Sequence, residues 1–298
     1  MQTSGQNPEQ ILRRLDWHVI RRLDGILQGD YRSLFYGFGV DFADLREYQP
    51  SDDIRYIDWN VTARTTTPYV RQYHEDRELS AWFLLDLSPS LNFGTTNQQK
   101  RNMLIDFVST MARLLTRQGN RVGSLLYGDQ VDLAIPAMGG RNQVLRIIKE
   151  LLERPLHSSS AITKLSPLFL QAAHSIKRRS LIFVVSDFIS DDAWADTLHL
   201  LSQRHEVIAV RLWDPLEVEL PDIGWLVLED SETGEQLFVD THDKGFRERY
   251  HAAALAREAE FLAQCKRANV AVMSLASNDD LVKTLIRFAQ LRKRQGKQ

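Results

Sequence analysis

The stretch Ser80-Ala-Trp-Phe-Leu-Leu-Asp86-Leu-Ser88-Pro-Ser90 constrains this chain more than any other. A strand with one wet face alternates polar and apolar residues, whereas this run is apolar almost throughout. It therefore reads as a strand buried on both faces of a parallel sheet. Residues just past the carboxyl end of such a strand lie where open α/β sheets bind ligands. Asp86, Ser88 and Ser90 stand there two residues apart, so one carboxylate and two hydroxyls can aim their oxygens at one point. That donor chemistry suits a hard cation such as Mg²⁺. Pro89 stiffens the loop that presents them.

The chain after this run alternates strand and helix patterns. Residues 97–117 carry Leu104, Phe107, Val108, Met111, Leu114 and Leu115 at helical spacing. Residues 121–127 and 130–136 read as a strand pair joined near Gly128-Asp129. Helices follow over 141–152 and 165–176, then a buried strand over 180–186. A helix over 191–203 and a strand over 207–212 continue the pattern. Residues 224–241 read as a β-hairpin turning near Gly234, which interrupts the alternation and projects from the sheet's edge. A long helix over 244–268, a strand over 270–275 and a helix over 279–292 complete the chain. Alternation of this kind predicts an α/β fold, a mostly parallel sheet with helices on both faces. Ahead of it, apolar residues at helical spacing over 8–27 predict a helix stopped at Gly29. Residues 31–78 are dense in aromatics, carboxylates and arginines, with only a short strand pattern over 68–73. We expect two regions: an N-terminal helix and irregular segment over 1–78 packing on a main domain over 79–298, with the hairpin inserted at about 216–243.

Two groups of residues could carry chemistry. The first extends the cation loop: Thr163 stands in a polar loop before a helix, and Asp187 directly follows the strand ending Val184-Val185-Ser186. Adjacent parallel strands lie about 5 Å apart, so their carboxyl ends can gather these loops. Such a hydroxyl-rich set makes few direct bonds to a hard cation and leaves it waters or an open position. A carboxylate from a partner protein could fill that position. Aspartate and serine after a strand are also common turn formers and helix caps, which is the plainer reading. The second group runs from Asp41 to Arg64 and includes Arg46, Glu47, Tyr48, Asp52, Asp53, Arg55, Asp58 and Trp59. An ion-pair lattice bracing an irregular segment, an interaction surface and an acid/base or second metal site all stay open for it.

Composition narrows the classes. A net charge of −2 gives no footprint for nucleic acid or an anionic membrane surface. One cysteine, Cys265, allows neither an internal disulfide nor a cysteine metal site, and its helical setting predicts a small buried residue. No signal-peptide core and no run of about twenty apolar residues is present, so a cytoplasmic chain without a direct membrane span is expected. Gly37-Phe-Gly39 lacks the third glycine of a dinucleotide loop. No phosphate-binding Gly-x-x-x-x-Gly-Lys and no Gly-x-Ser-x-Gly elbow occurs, and the eight histidines show no zinc spacing.

The Asp41–Arg64 run resembles the signature of the domain-of-unknown-function-58 family. Leu45-Arg46-Glu47-Tyr48, Asp52-Asp53-Ile-Arg55, Ile57-Asp58-Trp59 and Ala63-Arg64 match it, with Ser51 in place of the usual glycine. Asp76-Arg-Glu-Leu79, Asp86-Leu-Ser88-Pro-Ser90, Ser186-Asp187-Phe188, Trp213-Asp214-Pro215 and the Gly234-Glu235 turn match as well. The resemblance implies a von Willebrand factor A-like (Rossmann-like) domain whose Asp86, Ser88, Ser90, Thr163 and Asp187 form a metal-ion-dependent adhesion-type site. It also implies association with MoxR-type AAA+ ATPases in chaperone-like maturation or remodelling of client proteins. Ala161-Ile162 replaces the glycines that often precede the threonine, and the membrane helices of many relatives are missing.

These readings converge on a non-catalytic, Mg²⁺-dependent interaction module, with Mn²⁺ or Ca²⁺ as alternative ions and an ATPase or its client as partner. A metal-dependent phosphoryl-transfer or hydrolytic enzyme using Asp86 with Asp52, Asp53 or Asp58 is the alternative from another class. A scaffold with a vestigial metal loop is the third.

Overall fold

The computed structural model describes residues 7–23, 45–49, 54, 57, 59, 62, 67–71, 80–95, 98–128, 130–154, 163–190, 193–229 and 234–295. Helix α1 (Pro8–Leu15) starts at Asn7, whose side chain accepts from the Glu9 backbone N–H at 3.0 Å, and runs into a π-helical turn, Asp16–Ile20. The predicted helix end at Gly29 lies outside the described residues. Strands β1 (Leu45–Glu47) and β2 (Tyr69–Arg71) pair antiparallel, β1 within the Asp41–Arg64 run and β2 after it. Only β2 was legible as a strand.

The main domain follows with β3 (Ser80–Asp86), the two-residue strands β4 (Gly94–Thr95) and β5 (Gln98–Gln99), and α2 (Lys100–Arg117). Then come β6 (Arg121–Tyr127), β7 (Val131–Met138), α3 (Arg141–Glu153) and α4 (Ser166–Ser175). Next are β8 (Leu181–Ser186), α5 (Ala195–Arg204) and β9 (Glu206–Trp213). The chain continues through β10 (Trp225–Glu229), β11 (Gln236–Asp240), α6 (Lys244–Arg267), β12 (Ala271–Ala276) and α7 (Leu281–Gln295).

Six strands form one sheet in the order β12-β9-β8-β3-β6-β7, parallel except for the edge strand β7. This is the expected mostly parallel α/β sheet. Alternate side chains of each strand serve opposite faces. Phe83, Leu85 and Phe183 join α1, α2, α3 and α7 in one core, whereas Leu84, Ile182 and Val184 join α4, α5 and α6 in the other. Ile11, Leu12 and Leu15 of α1 belong to the first core, and Glu9–Arg141 and Asp16–Arg113 ion pairs hold the helix down. Strands β10 and β11 form the expected hairpin as a separate two-stranded sheet, with Trp225 and Phe238 exposed. Cys265 is buried, as its setting predicted, and burial pushes its thiol up to about 12. Among the described residues no helix is long and apolar enough to cross a membrane.

The chain leaves β3 toward β6 and β7 on one side and returns to β8 on the other. The order therefore reverses between β3 and β8, the kind of switch point at which α/β sheets open a crevice for ligands. Close packing behind that point depends on Gly123 of β6. A Cβ there would lie 2.9 Å from both the Ile135 carbonyl oxygen and the Trp82 ring. Gly123→Ala is expected to destabilise the domain by about 1–3 kcal/mol, read as a lowered urea midpoint at unchanged slope.

Candidate metal centre at the carboxyl ends of the central strands

Strand β3 delivers Asp86 at its last position, fully buried. One carboxylate oxygen, Oδ1, accepts from the Ser88 backbone N–H at 2.9 Å, closing the Asx-type turn that short carboxylates favour. The other, Oδ2, accepts from the Ser186 hydroxyl at 2.6 Å. That second bond crosses between neighbouring strands: Leu85 pairs with Val185, so the next residue of each strand stands side by side. A 3₁₀ turn, Pro89–Asn92, folds Ser90 back until its hydroxyl oxygen lies 3.0 Å from that of Ser88, both buried.

Asp187 follows β8 and is also buried. Its Oδ1 accepts from the Ile189 backbone N–H at 3.1 Å. Phe188, next in the chain, holds φ at 58°, a left-handed conformation that costs a non-glycine residue about 1–2 kcal/mol. Three contacts hold it there. Its N–H donates to the Ser186 hydroxyl at 2.9 Å, and its ring packs 5.4 Å from Trp194 and 4.8 Å from Phe261 between centroids. Ser190 of the same loop donates its hydroxyl to the Thr163 carbonyl at 3.0 Å, which ties the Thr163 segment to the loop that follows Asp187. Thr163 itself is buried.

Lys100, the first residue of α2, escaped the sequence reading. It is fully buried, and its ammonium donates to Asp187 Oδ2 at 2.7 Å and to Glu217 Oε1 at 2.6 Å. Glu217 lies in the short turn after β9, where its other oxygen accepts from the Asp214 backbone N–H at 2.9 Å. Burial alone would lower the Lys100 pKa, yet Asp187 and Glu217 raise it above the ordinary lysine value. One signal could have exposed Lys100. A cation at a helix N-terminus opposes the helix dipole, so a lysine opening an apolar helix needs carboxylates from elsewhere.

The structure thus gathers Asp86, Ser88, Ser90 and Asp187, adds Ser186, Lys100 and Glu217, and clips the Thr163 loop to them. Of the second group, Glu47 and Trp59 are exposed and Tyr48 is half-buried, its N–H donating to the Pro68 carbonyl at 2.8 Å. Asp52, Asp53, Arg55, Asp58, Arg64 and the side chain of Arg46 lie outside the described residues.

Charge decides what the gathered residues fit. Among the described residues, three carboxylates (Asp86, Asp187, Glu217) face one ammonium (Lys100), a deficit of two positive charges. Arg211, which feels both Asp187 and Glu217, is paired with Glu258. Burial, and then the charge of Asp187, raises the Asp86 pKa from an ordinary 3.8 to about 6. A divalent cation fits that deficit. No cluster of three or more His, Cys, Asp or Glu side chains able to hold a metal forms among the described residues, so a cation here would draw on serine hydroxyls. Hard cations accept such oxygens and retain waters.

The model of a family described as protein of unknown function DUF58 matches residues 44–260. Uncharacterized protein Rv1480 of Mycobacterium tuberculosis is 34% identical over 283 residues, covering 95% of this chain and 89% of that protein. Uncharacterized protein MAV169 of Mycobacterium avium is 29% identical over 160 residues, 54% of this chain and 94% of that protein. Among solved structures, an aerotolerance-related membrane protein from Bacteroides fragilis aligns at a TM-score of 0.49 and 12% identity, over 72% of this chain and 99% of that one. The conserved hypothetical protein BatB from Bacteroides thetaiotaomicron aligns at a TM-score of 0.46 and 14% identity, over 74% of this chain and 100% of that one.

The raised Asp86 pKa fixes the sign of a pH effect. Between about pH 4 and 6 the folded carboxyl keeps a proton that the unfolded chain has lost, so stability falls as pH rises through that window. Above it, the buried anion costs roughly 3 kcal/mol. In chelator at pH 7.5, Asp86→Asn is therefore expected to melt higher than the parent, with the gap closing by pH 4. Thermal melts across that pH range check this.

Proposed function

The chain belongs to the DUF58 family, and from that premise we propose that it is a non-catalytic, Mg²⁺-dependent protein-interaction module. The observation that carries this reading is the two-charge deficit among the described residues at the switch point, beside paired serine hydroxyls. Asp86, Ser88, Ser90 and Asp187 would hold the ion, with Thr163 from the adjoining loop. Bound there, the ion would supply a positive centre for an acidic group of a partner. The residues of the chain do the rest: Ser186 orients Asp86, Phe188 fixes the turn that presents Asp187, and Ser190 holds the Thr163 loop in place.

The partner we propose is a MoxR-type AAA+ ATPase or a client that it remodels, on the strength of the family signature between Asp41 and Arg64. The setting we propose is the cytoplasm. A non-catalytic role is favoured because both oxygens of Asp86 already accept hydrogen bonds from groups that position them. A general base needs an oxygen within reach of a substrate proton.

Calorimetry of the full chain with Mg²⁺, followed by co-sedimentation with a candidate MoxR-type ATPase in Mg²⁺ or in chelator, tests the proposal. Mg²⁺ binding in the parent that is lost in Asp86→Asn, together with association that needs both Mg²⁺ and Asp86, is the expected result. Association of the Asp86→Asn variant in chelator at the parental level would sink the metal-bridged reading.

A further inference from the structure

We infer that Lys100 is a fixed counter-cation built into the metal loops, and that Lys100 and Glu217 together set how strongly those loops take a divalent ion. The inference rests on the reading of Asp86, Ser88, Ser90 and Asp187 as a cation site. Neither Lys100 nor Glu217 belongs to the ligand set: Lys100 acts on it through Asp187, and Glu217 acts through Lys100.

Lys100 cannot move far from this role. Its backbone opens α2, its N–H donates to the Phe93 carbonyl at 3.0 Å, and its ammonium lies 5.9 Å from the Phe93 ring. The side chain is sealed from solvent, so the charge is poorly screened and acts strongly on its neighbours. It opposes an incoming cation in two ways. It takes up Asp187 Oδ2, and it places a like charge beside any cation that Asp187 would help to hold.

Glu217 pulls in the other direction. It reaches the cluster from the turn after β9, a strand that contributes none of the expected ligands. By giving the ammonium a second carboxylate, it offsets the charge of Lys100 and loosens the hold on Asp187. The pair therefore behaves as a setting on the site. With both present, the balance over Asp86, Asp187, Glu217 and Lys100 is two negative charges, and a divalent ion neutralises it. A site of this kind binds the ion weakly alone and gains from a carboxylate that a partner brings.

An ordinary buried ion pair would predict something different. Breaking it would destabilise the fold from either side and leave cation affinity alone. A counter-cation predicts opposite changes in affinity. Removing Lys100 takes the balance to three negative charges, removing the charge of Glu217 takes it to one, and removing both restores two.

The experiment is a titration of the full chain with Mn²⁺, followed by electron paramagnetic resonance and by calorimetry, on four proteins: the parent, Lys100→Met, Glu217→Gln and the double variant. Lys100→Met is expected to bind at least about tenfold more tightly, and Glu217→Gln about tenfold more weakly. The double variant should return to within about threefold of the parent. Glu217→Gln is isosteric and keeps an oxygen for the Asp214 N–H. Lys100→Gln, which retains N–H donors, replaces Lys100→Met if the latter does not fold.

Equal affinity in all four proteins overturns the inference and leaves the cation site standing. Binding by the lysine variant alone, with none by the parent, supports the inference and overturns the Mg²⁺ dependence of the native chain. No binding by any folded variant overturns both.

Discussion

A carboxylate buried at the end of a central strand is expensive, and much of this site is an answer to Asp86. Water that would have solvated it is gone, and what replaces the water is a directed set of donors. These are a backbone N–H two residues on and a hydroxyl from the next strand. They orient the carboxylate without neutralising it. Nearby Asp187 worsens the balance, and Lys100 is shared between Asp187 and Glu217. The polar cluster therefore holds together through geometry imposed by the sheet, while retaining a charge that a bound cation would relieve. Burying unbalanced charge in this way sacrifices stability, a cost that binding sites commonly carry.

The two apolar cores make that geometry possible. Asp86 and Ser186 end adjacent strands whose side chains pack into both layers, so their separation is fixed by the β3–β8 register. The loop bearing Asp187 is fixed differently. Phe188 is driven into a left-handed turn and kept there by Trp194 and Phe261, so part of the second core is used to aim a loop. The helix α2 then returns Lys100 to the same spot from the other layer. Strand ends, a strained turn and a helix start converge on one buried polar cluster.

Much of this was legible from residues. The runs ending at Asp86 and Ser186 are long, apolar and followed at once by polar loops, so both the strands and the places where the loops begin could be read directly. The antiparallel edge pair, the hairpin and the long helix α6 were marked by periodicity and glycine turns. Lys100 and Glu217 were not, because 117 residues separate them and no local pattern records a pairing at that range. Strand β1 was missed because three residues are too few to show a period of two. The turn at Phe188 was missed because aromatic residues avoid positive φ, and only tertiary packing overrides that preference. The cation opening α2 was the one local hint, since it conflicts with the helix dipole.

The same arrangement bears on what kind of chemistry the site can support. A hydrolase built at this switch point needs a carboxylate free to take a proton, or a second acidic residue beside the first. Ser88 stands where that second carboxylate would be, and its hydroxyl faces the hydroxyl of Ser90. Asp86 is held on both oxygens, and Asp187 is held on both as well, by Ile189 and by Lys100. Carboxylates fixed in this way make good electrostatic anchors, and because burial raises the Asp86 pKa to about 6, a cation there would compete with a proton. That orientation of donors supports the proposed recognition of a charged group.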